Sequence, residues 1–162
     1  MLIITGPTAA GKNTVAVLLA KQRERCAVVD FDLVRGMFVQ PHRPPWAGEE
    51  GEAQQALGVR LVCSLAESFA AAGWEVIILD VLSDETAGTY RRLLGRFSPK
   101  VVQLLPAYGE LRRRFYERGA VLTEDELKAV YEGQLKYTKY DLRVDNTDVG
   151  PLEVVSQLAP LL

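Results

Sequence analysis

An α/β fold with a five-stranded parallel sheet and helices on both faces is what this sequence predicts. Three observations predict it. Short apolar runs alternate with longer stretches of helical period. The run EVIILD at 75–80 is apolar without alternation, as expected of a strand covered on both faces. The chain's 162 residues, 48% hydrophobic and 25% charged, suit one compact domain over 1–162 with its own core.

The elements follow in order. Residues 2–5 read as the first strand, and a helix from about residue 11 carries Val15, Leu18 and Leu19 on one face. Residues 27–30 read as a second strand and 34–39 as a short helix. The stretch 40–51, with Pro41, Pro44, Pro45, Trp46 and two glycines, reads as irregular, and its length points to a working loop. From 52 to 72, Leu57, Leu61, Leu65 and Phe69 recur every four residues and mark a long helix that Gly73 ends. Residues 75–80 read as the central strand, 84–95 as a helix and 100–105 as a strand. Tyr108, Leu111 and Phe115 set a helical stripe that ends at Gly119. Thr123 and Glu126 form a capping box that opens a helix to about residue 136. A short strand at 142–145 and a terminal helix marked by Leu152, Val155, Leu158 and Leu162 complete the chain.

Charge and composition narrow the function. Nineteen Lys and Arg against 21 Asp and Glu give a net charge of −2, which disfavours a broad nucleic-acid footprint. No apolar run reaches the roughly 18–20 residues of a membrane span, and the first residues carry no basic leader. With only Cys26 and Cys63 besides, the expected setting is the cytoplasm.

Gly6-Pro7-Thr8-Ala9-Ala10-Gly11-Lys12-Asn13-Thr14 stands between the first strand and the first helix, with the glycine-x4-glycine-lysine spacing of a P-loop. Glycines let backbone N–H groups turn inward around a phosphate, and the helix N-terminus adds partial positive charge. Lys12 supplies a full charge to the β- and γ-phosphates. Gly6, Thr8, Ala9, Ala10, Gly11, Lys12, Asn13 and Thr14 are therefore the candidate nucleotide-binding residues. Where Ser or Thr usually follows the lysine as a Mg²⁺ ligand, this chain has Asn13, with Thr14 next. GKNT is in that respect similar to the GKGT of adenylate kinase-type loops.

Ligands of open parallel sheets bind beyond the carboxyl ends of the strands, so the acidic residues there come first. Asp30 and Asp32, spaced i, i+2, end the second strand, and Asp80 ends the strand at 75–80. One carboxylate can manage a hydrated Mg²⁺ and another can take a proton from an acceptor hydroxyl. The plainer alternative for Asp32 is capping the next helix. Arg35 follows Asp32 by three residues. His42, Arg43 and Trp46 in the Pro-rich stretch are further acceptor-side candidates.

Taken in order, GPTAAGKNT, VVDFDLVR, EVIILDVLSD, an arginine-bearing helix and YDLRVDNT resemble the small P-loop kinase group. That group includes shikimate and gluconate kinases, chloramphenicol phosphotransferase and 5′-hydroxyl polynucleotide kinases. The resemblance implies a three-layer P-loop NTPase fold, a lid over about 112–140, and ATP with Mg²⁺. It places the general base at Asp32, because Asp30-Phe31-Asp32 is similar to the Asp-x-Asp of shikimate kinases. Asp32-Leu33-Val34-Arg35 is similar to the Asp-x-x-Arg of polynucleotide kinases. It further implies acceptor contacts from Asp32 and Arg35, with Arg43 of the Pro-rich stretch a third candidate, and Thr14, Asp30 and Asp80 are the candidate metal residues. Arg114 and Arg118 become lid cations for the transferring phosphoryl group, and Asn146, in Asp145-Asn146-Thr147, the adenine-side residue.

The implied activity is phosphoryl transfer from ATP to a hydroxyl of a small molecule such as a sugar, antibiotic or nucleoside. Nucleotide or polynucleotide 5′-hydroxyl kinases are the alternative within that chemistry. An ATP-binding regulatory protein with little turnover is the alternative outside it.

Overall fold

The computed structural model describes residues 1–119 and 122–162. In chain order the elements are β1 (Leu2–Thr5), α1 (Lys12–Ala20), β2 (Cys26–Asp30), α2 (Phe31–Arg35), α3 (Gly48–Ala71) and β3 (Glu75–Leu79). Then come α4 (Asp84–Leu93), β4 (Lys100–Leu104), α5 (Tyr108–Glu117), α6 (Glu124–Lys136), β5 (Leu142–Val144) and α7 (Pro151–Leu158). All four strand pairings are parallel, and the order across the sheet is β2-β3-β1-β4-β5. The centre is thus β1, and EVIILD, expected there, is its neighbour β3.

The strands are apolar on both faces, and alternate residues serve opposite layers. Leu2, Ile4, Ile77, Leu79, Val102 and Leu104 point to a core closed by α1, α5, α6 and α7. Ile3, Val76, Ile78 and Val101 point to the other, closed by α2, α3 and α4. Each face of the sheet therefore buries its own layer of helix, which is the three-layer α/β arrangement.

Several boundaries move, each for a local reason. The helix expected at 34–39 begins at Phe31, directly off β2, because the Asp30 carboxylate caps it by accepting from Asp32 N at 3.0 Å. The cap is thus Asp30 and not Asp32. Helix α3 begins at Gly48, four residues before the expected start, since Glu49 and Glu50 suit a first turn. Gly51 lies where a Cβ would collide with the Pro44 carbonyl oxygen, so this turn can pack against the Pro-rich stretch only without a side chain.

Leu57, Leu61, Leu65 and Phe69 do lie on one helix, but not on its buried face; Gly58, Val59, Val62, Cys63 and Ala66 fill that role. Small residues there bring α3 close to the sheet, and Gly58 would place a Cβ 2.9 Å from the Phe31 ring. At the other end of the chain, α7 stops at Leu158 and a 3-10 turn carries Ala159–Leu161.

Candidate nucleotide and acceptor site

The carboxyl ends of β2, β3 and β1 are adjacent, and the strand order reverses at β1, where open α/β sheets bind ligands. The glycine-lysine loop leaves β1 there. Gly6 has φ 143° and Gly11 φ 98°, and a Cβ on Gly6 would collide with the Leu104 carbonyl oxygen. Ala9, at φ 66°, shares the left-handed region. Such alternation turns backbone N–H groups toward one centre and fits a phosphate.

Lys12 opens α1 and its Nζ donates to the carbonyls of Gly6 (2.8 Å) and Pro7 (3.1 Å), spanning the loop. Burial pushes its ammonium down to about 8, while the carboxylates of Asp32, Asp80 and Asp30 pull it partway back. Asp32 stands on the exposed first turn of α2, directly after β2. Asp80 is buried; its Oδ2 accepts from Tyr90 Oη at 2.9 Å and its Oδ1 from Val81 N at 2.7 Å. Burial dominates those two bonds and raises the Asp80 carboxyl to about 7.

That raised value has a stability consequence. Between the ordinary carboxylate range and about 7, the folded chain binds a proton at Asp80 that the unfolded chain has released, so stability falls as pH rises through that window. Asp80→Asn keeps an acceptor for Tyr90 and cannot ionise. Its melting temperature is expected to match the wild type near pH 4 and to exceed it at pH 8, by calorimetry. A gap independent of pH would mean that Asp80 carries no buried charge.

Asn13, in the place of the usual hydroxyl, donates from Nδ2 to Asp30 Oδ2 at 2.7 Å. Both Asp30 oxygens are thus engaged, one by Asn13 and one by the start of α2. Asp30 positions α2 and Asn13 and, like Asp80 with its two oxygens on Tyr90 and Val81, keeps further lone pairs for a hydrated cation. Among the described residues, no three His, Cys, Asp or Glu side chains converge on one point. Thr14, Asp30 and Asp80 suit a Mg²⁺ that keeps waters and phosphate oxygens as its other ligands.

On the far side of the loop lies a cleft of ≈ 480 Å³, lined by Ala9, Gly11, Thr14, Arg114, Arg118 and Asn146 among others. Asn146 is buried; its Nδ2 donates to the Ala10 carbonyl at 2.9 Å, while its Oδ1 has no partner. Arg114 is not a free lid cation. Its Nε donates to Glu110 (2.7 Å) and its terminal nitrogen to the carbonyls of Asn146 (2.8 Å) and Thr147 (3.3 Å). It braces the loop after β5. Arg112 and Arg113 pair with Glu124 and with Glu110 and Glu117. Arg118, exposed at the end of α5, makes no side-chain bond among the described residues, and its charge reaches Lys12.

Much of the expected lid is fastened down. Leu111, Phe115 and Leu127 are core residues, and Gln134 accepts from Gln103 Nε2 and donates to the Leu82 carbonyl. Asp84 accepts from Thr138 N, Thr138 Oγ1 and Lys139 N. Of the expected lid, residues 120 and 121 lie outside the described residues, while Thr123 on their far side is bonded to Glu126 at the start of α6.

Arg35 also departs from expectation. It is buried, with one terminal nitrogen on Gln55 Oε1 (3.3 Å) and the other on the Arg43 carbonyl. Gln54 assists by bonding Arg43 N and the Pro41 carbonyl, both at 3.0 Å. Arg35 thus holds the Pro-rich stretch in place, and the Arg43 side chain remains exposed. Tyr90 and Gln54 went unnoticed in the sequence, where nothing distinguishes them from surface helix residues.

This architecture is the P-loop kinase-like fold. A sugar kinase from Janibacter sp. HTCC2649 superposes with a TM-score of 0.73 at 16% identity, over 99% of this chain and 92% of that one. The tunicamycin resistance protein of Deinococcus radiodurans gives 0.71 at 16% identity, over 98% and 93%. Shikimate kinase of Acinetobacter baumannii gives 0.63 at 18%, over 99% and 90%. No family model matches the chain. In sequence, it is 33% identical over 151 residues to a tRNA dimethylallyltransferase of Rhizobium etli, covering 80% of this chain. The chain spans about half of that relative's length (47%). No described helix is long and apolar enough to cross a membrane.

Proposed function

We propose that this chain is an ATP- and Mg²⁺-dependent phosphotransferase acting on a hydroxyl of a small molecule. One observation carries the reading: Lys12 closes the glycine loop at the carboxyl end of β1, and Asp30, Asp32 and Asp80 stand at or just beyond the carboxyl ends of β2 and β3, at the same end of the sheet. ATP with Mg²⁺ supplies an activated γ-phosphoryl group when bound. The loop amides and Lys12 would hold phosphate oxygens, and Thr14, Asp30 and Asp80 would hold the cation's water shell. Asp32 takes the acceptor proton as the acceptor oxygen bonds the γ-phosphorus, and the electron pair of the broken bridging bond leaves on ADP. Arg118 offsets the charge on the transferring group, and Arg114 and Asn146 brace the nucleotide cleft. Positioning and electrostatics supply most of the acceleration.

A second reading, favoured by the 33% identity, is transfer of a dimethylallyl group from a diphosphate ester held in the same loop. ATP consumption with Mg²⁺, measured over sugars, aminoglycosides, nucleosides, nucleoside monophosphates and 5′-hydroxyl oligonucleotides, separates the readings. Acceptor-dependent ADP release with a small molecule is expected. Release only with oligonucleotides points to a polynucleotide kinase. ATP binding without turnover points to a regulatory protein, and dimethylallylated tRNA formed with release of diphosphate, when dimethylallyl diphosphate and tRNA replace ATP and the panel, supports the second reading.

A further inference from the structure

Beyond β3 the chain has no regular structure from 80 to 83, yet this segment is fastened from two sides. Asp80 N donates to Ile4 O (3.3 Å) and Leu82 N to Thr5 Oγ1 (2.9 Å), while Leu82 O accepts from Gln134 Nε2 (2.7 Å). Thr5 and Gln134 are themselves buried. Strand β1 and helix α6 thus hold the backbone around Asp80. They do not hold its carboxyl group, whose last torsion is intrinsically broad.

Two other bonds fix that torsion. Val81 N donates to Oδ1 at 2.7 Å, and Tyr90 Oη donates to Oδ2 at 2.9 Å. The first is local, from the next residue. The second comes from the middle of α4, where the Tyr90 ring is fully buried in the layer of Val62, Ile78, Leu82 and Leu94. The helix that carries Tyr90 starts from the Asp80 segment itself. Ser83 Oγ accepts from Thr86 N (3.1 Å) and Ser83 N donates to Thr86 Oγ1 (2.7 Å), a capping box that sets the start of α4. Asp80, Ser83, α4 and Tyr90 therefore close a ring, with the phenol hydroxyl as its last link.

Stability alone does not call for this pair. Phenylalanine would fill the volume of Tyr90 without burying a hydroxyl, and an apolar residue at 80 would avoid burying a carboxylate. Strand β3 pairs with β1, so the carboxylate stands beside the strand that opens into the glycine-lysine loop. Buried hydrogen-bond partners of this kind orient the groups that a metal meets.

We infer that Tyr90 is a positioning residue: its hydroxyl holds the Asp80 carboxylate for the water shell of a nucleotide-bound Mg²⁺. The inference rests on the phosphotransferase reading for that cation, and on the geometry above for the hydroxyl.

Binding of a fluorescent ATP analogue to the full chain, titrated with Mg²⁺ and separately in EDTA, tests it without turnover. Wild type, Tyr90→Phe, Asp80→Asn and the double variant are compared, and melting curves check that each is folded. Tyr90→Phe removes one oxygen and leaves the ring to fill its seat. It is expected to raise the Mg²⁺ concentration at half-saturation about tenfold, and Asp80→Asn at least as much. In the Asp80→Asn background Tyr90→Phe should add less than about twofold, since no carboxylate remains to be aimed. Affinity in EDTA should stay within about twofold throughout. An unchanged Mg²⁺ requirement in Tyr90→Phe or in Asp80→Asn overturns the inference. So do fully additive effects, or a parallel loss of affinity in EDTA, either of which would make Tyr90 a merely structural residue. Acceptor-dependent ADP release, followed alongside, keeps the two readings apart. Coupled Mg²⁺ effects without any such release support the positioning role and sink the phosphotransferase reading. Release at an unaltered Mg²⁺ requirement in the variants does the reverse.

Discussion

Asp32→Asn is expected to lower kcat by about 10²–10⁴-fold, the usual worth of a positioned general base, with nucleotide affinity nearly unchanged. The change is close to isosteric and falls on an exposed first turn that Asp30, not Asp32, caps. The helix that carries it should therefore persist. Stopped-flow turnover with the best acceptor and equilibrium titration with a fluorescent ATP analogue would measure the two effects separately. Unchanged kcat would remove Asp32 from the chemistry. A parallel loss of nucleotide affinity would instead mean that its charge is needed to hold Lys12.

Lys12→Ala should cost about 10²–10³-fold or more in turnover, comparable with removing one preorganised donor from a transition state, and should weaken nucleotide binding as well. The pH behaviour is more telling. With its ammonium lowered to about 8, Lys12 loses its charge above that pH, so wild-type activity should decline there. Stability moves the other way. Between about 8 and the ordinary lysine value the unfolded chain binds the proton that the folded chain has lost, so folding stability gains with pH across that window. In Lys12→Ala that gain should vanish. Activity and melting temperature measured from pH 7 to 10.5 check both slopes. Wild-type activity that stays flat to pH 10 would mean that bound phosphate restores the lysine to its ordinary range.

The elements were legible wherever a local signal sufficed. The loop at 6–14, the Thr123–Glu126 box and EVIILD each carry their structural cause within a few residues. Long-range choices were not legible. Nothing in EVIILD tells whether it or Leu2–Thr5 takes the centre of the sheet, because both are covered on both faces. Helix α3 misled for a related reason. Its larger apolar residues recur at period four, yet the sheet selects the narrow side made of Gly58, Val59 and Ala66.

At the site, residue types point to Asp32 and the loop lysine as acceptor and phosphate groups, an assignment the substitutions above test. What could not be read was engagement. Arg35 and Arg114 looked like free cations in sequence, but distant partners, Gln55 and the Asn146 carbonyl, occupy them. Arg118 lacks such a partner among the described residues, and only the fold reveals the difference.

The strand order also bears on how the chain can assemble. Strand β1 pairs only with β3 and β4, and β2 pairs only with β3. Until residues 75–79 exist, neither of the first two strands has any partner, although Leu2–Thr5 is wholly apolar apart from its last residue. A growing chain therefore carries Leu2–Thr5 unpaired until residues 75–79 appear, and the first pairings close loops of about 45 residues for β2–β3 and about 70 for β1–β3. The early helices must shield that strand in the meantime, so the interval before β3 emerges is when this protein is most exposed to misassembly on the ribosome.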